Sequence, residues 1–183
     1  MRVISGIAKG KKLESLSLED LRPTTDRVKE AIFSVIQFEI EGRTFLDLFS
    51  GSGQMAIEAL SRGASFATLV DHSLRAIKLI KNNLQKSGFT DKSEVFNLDY
   101  ENFLKTNQKT FDIVFLDPPY KKGILQKALG KIAKITNESG IIICESSEDE
   151  KLPENIDNFY LSKNFKYGKI KTSFYRSKNG LKI

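Results

Sequence analysis

The chain has 183 residues but only one cysteine and one histidine, a scarcity that excludes several chemistries at once. Cys144 has no partner for an internal disulfide. In the run Ile141-Ile142-Ile143-Cys144 it reads as a small packed apolar residue, so a reducing cytoplasm is the expected setting. Cys144 and His72 alone make a poor ligand set for zinc, and no metal is expected. No apolar run approaches the ~20 residues of a membrane helix, and Met1-Arg2-Val3-Ile4-Ser5-Gly6 lacks the apolar stretch of a signal peptide, so no membrane role is expected. The phosphate-cradling pattern G-x-x-x-x-G-K-[ST] is also missing, which argues against a triphosphate site.

Acidic residues are missing from both ends of the chain. Residues 1–13 carry four basic side chains (Arg2, Lys9, Lys11, Lys12) and residues 158–183 carry seven, with no acid in either stretch. The net charge is +6, yet the segment between these ends holds 18 basic against 23 acidic residues. An acidic body with basic ends suits a polyanionic partner, with nucleic acid foremost; charge alone fits equally a device for solubility.

A chain of this length buries about 70% of its unfolded surface, and a single domain over residues 1–183 is expected. From about residue 44 to 145, strand and helix patterns alternate, which predicts a doubly wound, mostly parallel α/β sheet covered on both faces. The strand candidates are Thr44–Phe49, Phe66–Asp71, Glu94–Leu98, Phe111–Leu116 and Gly140–Glu145. Helical spacing shows in Ala56, Ile57 and Leu60, in Ile77, Ile80 and Leu84 before a capping Gly88, and between Gly123 and Ile135. Residues 41–183 form the Rossmann-like core in this reading. Residues 1–40 are an N-terminal basic extension followed by a helix capped within Arg22-Pro23-Thr24-Thr25-Asp26, with Val28, Ile32, Val35 and Ile36 on one face. Residues 1–13 are expected to form a small strand pair, and Asn158–Lys166 with Lys169–Ser177 a C-terminal antiparallel hairpin about Gly168.

The first core strand runs into Asp47-Leu48-Phe49-Ser50-Gly51-Ser52-Gly53, where a doubly wound sheet binds nucleotide-like ligands. Gly51 to Ala56 fits G-x-G-x-x-[GA], and Asp71, followed by His72, ends the second strand near the ~20-residue offset of a ribose-binding acid. No Lys or Arg stands between Ser50 and Met55 to meet phosphate. A buried Asp47 would oppose the phosphates of a dinucleotide, so S-adenosylmethionine, with a sulfonium and an ammonium, suits the loop better. Asp99 at the end of the third strand is placed either to accept from an adenine amine or to cap the helix that follows.

Ile113-Val114-Phe115-Leu116 is followed by Asp117-Pro118-Pro119-Tyr120. Two prolines remove two N–H donors and stiffen a segment rich in acceptors, Asp117 adds another acceptor, and Tyr120 offers a stacking face. The combination suits a planar amine such as that of a nucleobase. The bland alternative is a strand followed by a proline-stiffened turn.

With Arg2-Val3-Ile4-Ser5-Gly6, Lys9-Gly10-Lys11-Lys12-Leu13, Leu21 to Glu30, Asp47 to Gly53 and Asp117 to Tyr120 assembled, the chain resembles the RsmD family of small-subunit ribosomal RNA guanine-N2 methyltransferases over nearly its whole length. The resemblance implies a class I S-adenosylmethionine-dependent methyltransferase fold. It further implies that Asp47, Phe49, Ser50, Gly51, Gly53, Asp71, His72 and Asp99 hold the cofactor and that Asp117, Pro118, Pro119 and Tyr120 hold the target base. Arg2, Lys9, Lys11, Lys12, Arg22, Thr24, Asp26 and Arg27 then face the substrate. That substrate is ribosomal RNA or an assembling small subunit, met by a monomer. Family members often carry Glu at the place of Asp71 and Phe at that of Tyr120, changes that keep a carboxylate and a ring. A DNA adenine methyltransferase, a nicotinamide dehydrogenase and a non-catalytic RNA-binding module are the competing readings. The 63 residues after Tyr120 are taken up by the last sheet elements, which leaves the first of these no sequence-reading domain.

Overall fold

A computed structural model describes residues 1–15, 26–120 and 123–177. Its elements in chain order are α1 (Asp26–Val35), β1 (Thr44–Asp47), α2 (Gln54–Ser61), β2 (Phe66–Asp71), α3 (Leu74–Ser87), β3 (Ser93–Asn97), α4 (Tyr100–Thr106), β4 (Phe111–Leu116), α5 (Ile124–Lys134), β5 (Thr136–Ser147), β6 (Asn155–Ile156), β7 (Phe159–Tyr167) and β8 (Ile170–Ser177). All eight strands join one sheet in the order β3-β2-β1-β4-β5-β8-β7-β6. The first five in that order run parallel, and β5-β8, β8-β7 and β7-β6 pair antiparallel.

Parallel strands buried on both faces need apolar side chains on both. Phe45, Ile113, Ile141 and Ile143 pack on one face against α1, α2 and α3, while Leu46, Val114, Leu116 and Ile142 pack on the other against α4 and α5. The expected doubly wound layout is therefore present. It puts β1 directly beside β4, with Phe45, Leu46 and Asp47 opposite Ile113, Val114 and Phe115, so the glycine loop and the proline segment leave the same edge. Among the described residues no helix is long and apolar enough to cross a membrane.

Three boundaries differ from the expectation. β5 starts at Thr136 rather than Gly140 and shifts register against β4 between Phe111 and Ile113. At that irregularity a Cβ on Gly140 would fall 2.5 Å from Thr136 Cγ2 and 2.9 Å from the Asp112 carbonyl, so only glycine lets the strand through. The hairpin forms, but a two-residue strand, β6, adds to its edge. The strand pair expected in residues 1–13 is reduced to one antiparallel bridge, Arg2 with Lys12. The arm is held by α2 instead. Lys178 and Lys182, like the predicted cap at Arg22-Pro23-Thr24-Thr25, lie outside the described residues.

The arm's anchor is a tight turn at Gly6, whose φ of +80° is left-handed. Ile7 N donates to the Ser61 carbonyl at 2.8 Å, Ala8 N to Ser61 Oγ at 2.9 Å, and Ser61 Oγ to the Ser5 carbonyl at 2.5 Å. A Cβ at Gly6 would sit 1.7 Å from the Ser61 carbonyl oxygen, far inside van der Waals contact. Gly6→Ala should therefore lift the arm off α2. With strain and two to three lost bonds the expected cost is about 3 kcal/mol, or roughly 6–12 °C in a thermal melt. An unchanged melting temperature would show that the arm adds nothing to stability.

Candidate active site

β1 ends at Asp47, and the chain crosses to α2 through a loop pinned from both sides. Ser50 Oγ donates to the Asp47 carbonyl at 2.7 Å and accepts from Val70 N at 3.0 Å, while Gly53 N closes a turn on the Ser50 carbonyl at 2.7 Å. Gly51 and Gly53 both have positive φ, 54° and 77°. They differ in what surrounds them. A Cβ on Gly53 would press on Leu69 at 3.1 Å, so this glycine serves helix-against-strand packing. A Cβ on Gly51 would meet nothing within 4 Å, so that side of the loop is open to a ligand.

Asp71, at the end of β2, holds the loop. Its Oδ2 accepts from Gly51 N and its Oδ1 from Ser73 N, both at 2.9 Å. Each oxygen keeps capacity for a further donor. His72 is largely exposed, with Nδ1 3.7 Å from Asp71 Oδ1. Asn97 Nδ2 donates to the carbonyls of Asp71 and His72, tying the end of β3 to this corner.

Asp47 is the exceptional group. It is 1% exposed, and among the described residues neither carboxylate oxygen has a hydrogen-bond partner of good geometry. Burial, reinforced by the charge of Asp71, raises its pKa to about 7, and nearby N–H groups of Ala56 and Phe49 offset only part of this. A carboxylate so placed is a strong attractor for a cation.

Asp99 takes the second of its two expected roles. It is the N-cap of α4: Oδ1 accepts from Asn102 N at 2.9 Å and Oδ2 from Asn102 Nδ2 at 2.6 Å. The bond from Asn102 N holds its pKa below the usual carboxylate range. It remains exposed beside Tyr100, whose ring packs on Phe49 with centroids 5.6 Å apart.

Across the crevice, β4 hands over to Asp117 (half-buried), Pro118 (buried), Pro119 (exposed) and Tyr120 (half-buried). Tyr120 Oη donates to Oε1 of the buried Glu145 at 2.9 Å. Glu145 was not singled out from the sequence. Its only cue was a carboxylate ending an apolar strand.

A second set of residues missed by sequence reasoning joins the arm to the glycine loop. Lys29 is fully buried in the first turns of α1. Its Nζ donates to the Arg2 carbonyl at 2.7 Å and to Oε1 of Gln54, the first residue of α2, at 3.4 Å, and lies 3.9 Å from the equally buried Glu58. Desolvation lowers the Lys29 pKa, while Glu58 and Asp26 act the other way. Glu58 accepts from Ile4 N, Ser5 N and Arg62 Nε at 2.8–3.0 Å. Ser52 Oγ lies 3.6 Å from Met1 Sδ. A lysine beside Val28 on the apolar stripe of α1, and a glutamate beside Ile57 on α2, were the available signals.

This network places the candidate substrate residues unevenly. Arg2 and Asp26 stand together, 4.0 Å apart, next to the glycine loop, with exposed Arg27 in the same turn. Lys12 bridges to Arg2. Helices that join parallel strands run back against them, so Ser61 and Ser87 lie at the end of the sheet opposite the crevice. Lys9 stands in the turn on Ser61, and Lys11 Nζ donates to the Ser87 carbonyl at 3.1 Å, so both fall at that far end. Arg22 and Thr24 lie outside the described residues. Among the described residues no group of His, Cys, Asp and Glu could hold a metal.

The family model for conserved hypothetical protein 95 matches residues 1–176. The chain belongs to this family, the RsmD family. Its RsmD-family relatives include YlbH of Bacillus subtilis, provisionally named an rRNA methyltransferase, 38% identical over 97% of this chain and 100% of its own. Another is Ribosomal RNA small subunit methyltransferase D of Haemophilus influenzae, 37% identical over 85% of this chain and 84% of its own. Escherichia coli yhhF, a candidate methyltransferase of known structure, superposes with a TM-score of 0.87 at 31% identity, over 97% of each chain. At the level of fold alone, so does an RNA methyltransferase of Salinibacter ruber in complex with S-adenosyl-L-homocysteine, with a TM-score of 0.68 at 12% identity over 86% of this chain and 95% of its own. The fold of this RsmD-family chain is thus the class I methyltransferase fold.

Proposed function

We propose that this protein transfers a methyl group from S-adenosylmethionine to the exocyclic N2 amine of a guanine in small-subunit ribosomal RNA. The observation that carries the reading is Asp47: a buried carboxylate with no hydrogen-bond partner among the described residues, at the foot of a glycine loop that has no basic residue, one strand from Asp117-Pro118-Pro119-Tyr120. Such a site repels phosphate and favours a cation. S-adenosylmethionine is cationic at its sulfonium and ammonium, and when bound it supplies an electrophilic methyl group for in-line displacement.

The residues of the chain do the positioning. Asp47 takes the cationic end of the cofactor, and Asp71 takes the ribose hydroxyls with the acceptor capacity left after Gly51 and Ser73. Gly51 gives open backbone, with Phe49, Ser50, Gly53, His72 and Asp99 around it. Asp117 and the Pro118 carbonyl accept the two amine hydrogens, so the nitrogen lone pair faces the crevice and the departing proton already has an acceptor. Tyr120 stacks on the base. A base paired within a helix does not reach this edge, so the target nucleotide is unpaired or extruded.

Ribosomal RNA rests on the names of the relatives, and guanine on the family resemblance of Leu21 to Glu30 and the arm alone; the residues of the site ask only for a planar amine. Arg2, Lys12 and Arg27 flank the crevice and meet RNA phosphates near the target. Lys9 and Lys11 meet more distant ones. The test is nucleoside analysis after purified protein, labelled cofactor and undermodified small subunits are incubated together. Label is expected in N2-methylguanosine. Label in N6-methyladenosine, or in DNA and never in RNA, would overturn the substrate while leaving the cofactor in place.

A further inference from the structure

We propose that Glu145 is a positioning residue that fixes the plane of the Tyr120 ring. The proposal rests on the function above, because a fixed ring matters only if a base stacks on it.

Leu116 is the last residue of β4 and pairs with Cys144 on β5, so Glu145 lies one step beyond, level with Asp117. On its other side Glu145 pairs with Thr172 of β8, within an unbroken antiparallel run from Ile141 to Ser147 that holds its backbone. Its side chain is 1% exposed. The acceptor it presents to Tyr120 is therefore held by the sheet itself.

The backbone that leads to Tyr120 is not part of the sheet. Pro118 and Pro119 donate no N–H, and Pro119 is already exposed, so the chain is leaving the sheet when the ring is reached. The prolines set where Cα of residue 120 sits. They do not set the two side-chain torsions. The 2.9 Å bond from Tyr120 Oη to Glu145 Oε1 holds the far end of the ring, so both ends are fixed and the stacking face is ready before the base arrives. A misplaced base costs rate more than affinity, because RNA contacts elsewhere still hold the substrate.

Three variants test this on small subunits: Tyr120→Phe, Glu145→Leu and their double, with Glu145→Gln as the conservative control. Tyr120→Phe and Glu145→Leu should each lower kcat about tenfold, the equivalent of one hydrogen bond. KM for RNA and the Kd for S-adenosylmethionine should be unchanged. The double variant should be no worse than either single one, since both remove the same bond. Glu145→Gln keeps an acceptor and should stay within about twofold of the parent. In protein labelled with ¹³C-tyrosine, the Tyr120 ring signal, identified by its loss in Tyr120→Phe, should show faster ring motion in Glu145→Leu.

Additive losses in the double variant would make Glu145 merely structural and overturn the proposal. So would unaltered kcat in Tyr120→Phe, a result available even if Glu145→Leu does not fold. Should the unaltered protein methylate no guanine, the functional reading fails instead, and the ring signal in Glu145→Gln and Glu145→Leu decides the proposal separately.

Discussion

Without cofactor, the protein should lose stability as pH rises from about 4 to 7, and Asp47→Asn should remove most of that loss. The sign follows from the raised pKa. Between the ordinary carboxyl value of 3.8 and about 7, the folded chain keeps a proton on Asp47 that the unfolded chain has released. The favourable contribution is complete below pH 4 and gone above pH 7. Three units correspond to about 4 kcal/mol at the upper limit. An asparagine never ionises, so above pH 7 the variant should melt roughly 5–10 °C higher than the parent, after allowance for the amide's own unmet hydrogen bonds. The same change removes the charge proposed to meet the cofactor, and affinity for S-adenosylmethionine should fall about 100-fold, or about 2.7 kcal/mol. Cofactor binding to the parent should also release about three-quarters of a proton near pH 6.5, seen as a binding heat that varies with the buffer's ionisation heat. If Asp47→Asn destabilised the protein at pH 8, or left cofactor affinity intact, Asp47 would not be the anionic floor of the site.

Asp117→Ala should nearly abolish methyl transfer while cofactor affinity stays within about twofold. Asp117 belongs to the segment after β4, and Asp47 and Asp71 to the ends of β1 and β2, so the two halves of the site can fail separately. Loss of one oriented acceptor at a reacting centre costs about 100- to 1000-fold in kcat by analogy with preorganised hydrogen-bond groups elsewhere. Asp117→Asn should be milder, since its amide oxygen still accepts one hydrogen bond. Single-turnover rates beside calorimetry separate the cases. Equal losses of rate and cofactor affinity in the Ala variant would show that Asp117 holds the crevice together and does not orient the amine.

Legibility of the fold followed the periodic signals. Ile113 to Leu116 and Ile141 to Cys144 are apolar runs too short for helices, and glycine punctuates the turns around them, so the parallel core could be read from local pattern alone. Asp47, Asp71 and the proline segment could be singled out because each stands at or just after a strand end, where this class of sheet binds ligands. Non-local polar contacts escaped. Lys29 and Glu58 lie on apolar faces of their helices, where period alone reads them as exceptions, and only the docked arm shows that each has a partner. Glu145 directly follows the apolar run Ile141 to Cys144 within β5, and its link to Tyr120 spans 25 residues. The arm's strand pairing is smaller than expected: Val3 N donates to the Lys11 carbonyl and Leu13 N to the Met1 carbonyl about the single Arg2–Lys12 bridge, while the backbone donors of Ile4, Ser5, Ile7 and Ala8 are answered by α2.

That docking has a consequence for the order in which the molecule is made. Ile4 and Ser5 are synthesised before α2, and Glu58, the group that receives both, follows 54 and 53 positions later. Until α2 is complete the arm has no surface to lie on, and Lys29 has no carboxylate from α2 to face. Ribosome-stalled chains ending before Glu58 should leave residues 1–10 open to protease, and chains with all of α2 outside the exit tunnel should begin to protect them; early protection would mean that the arm finds another partner first. A peptide fused ahead of Met1 would start beside Ser52, inside the corner where the glycine loop turns.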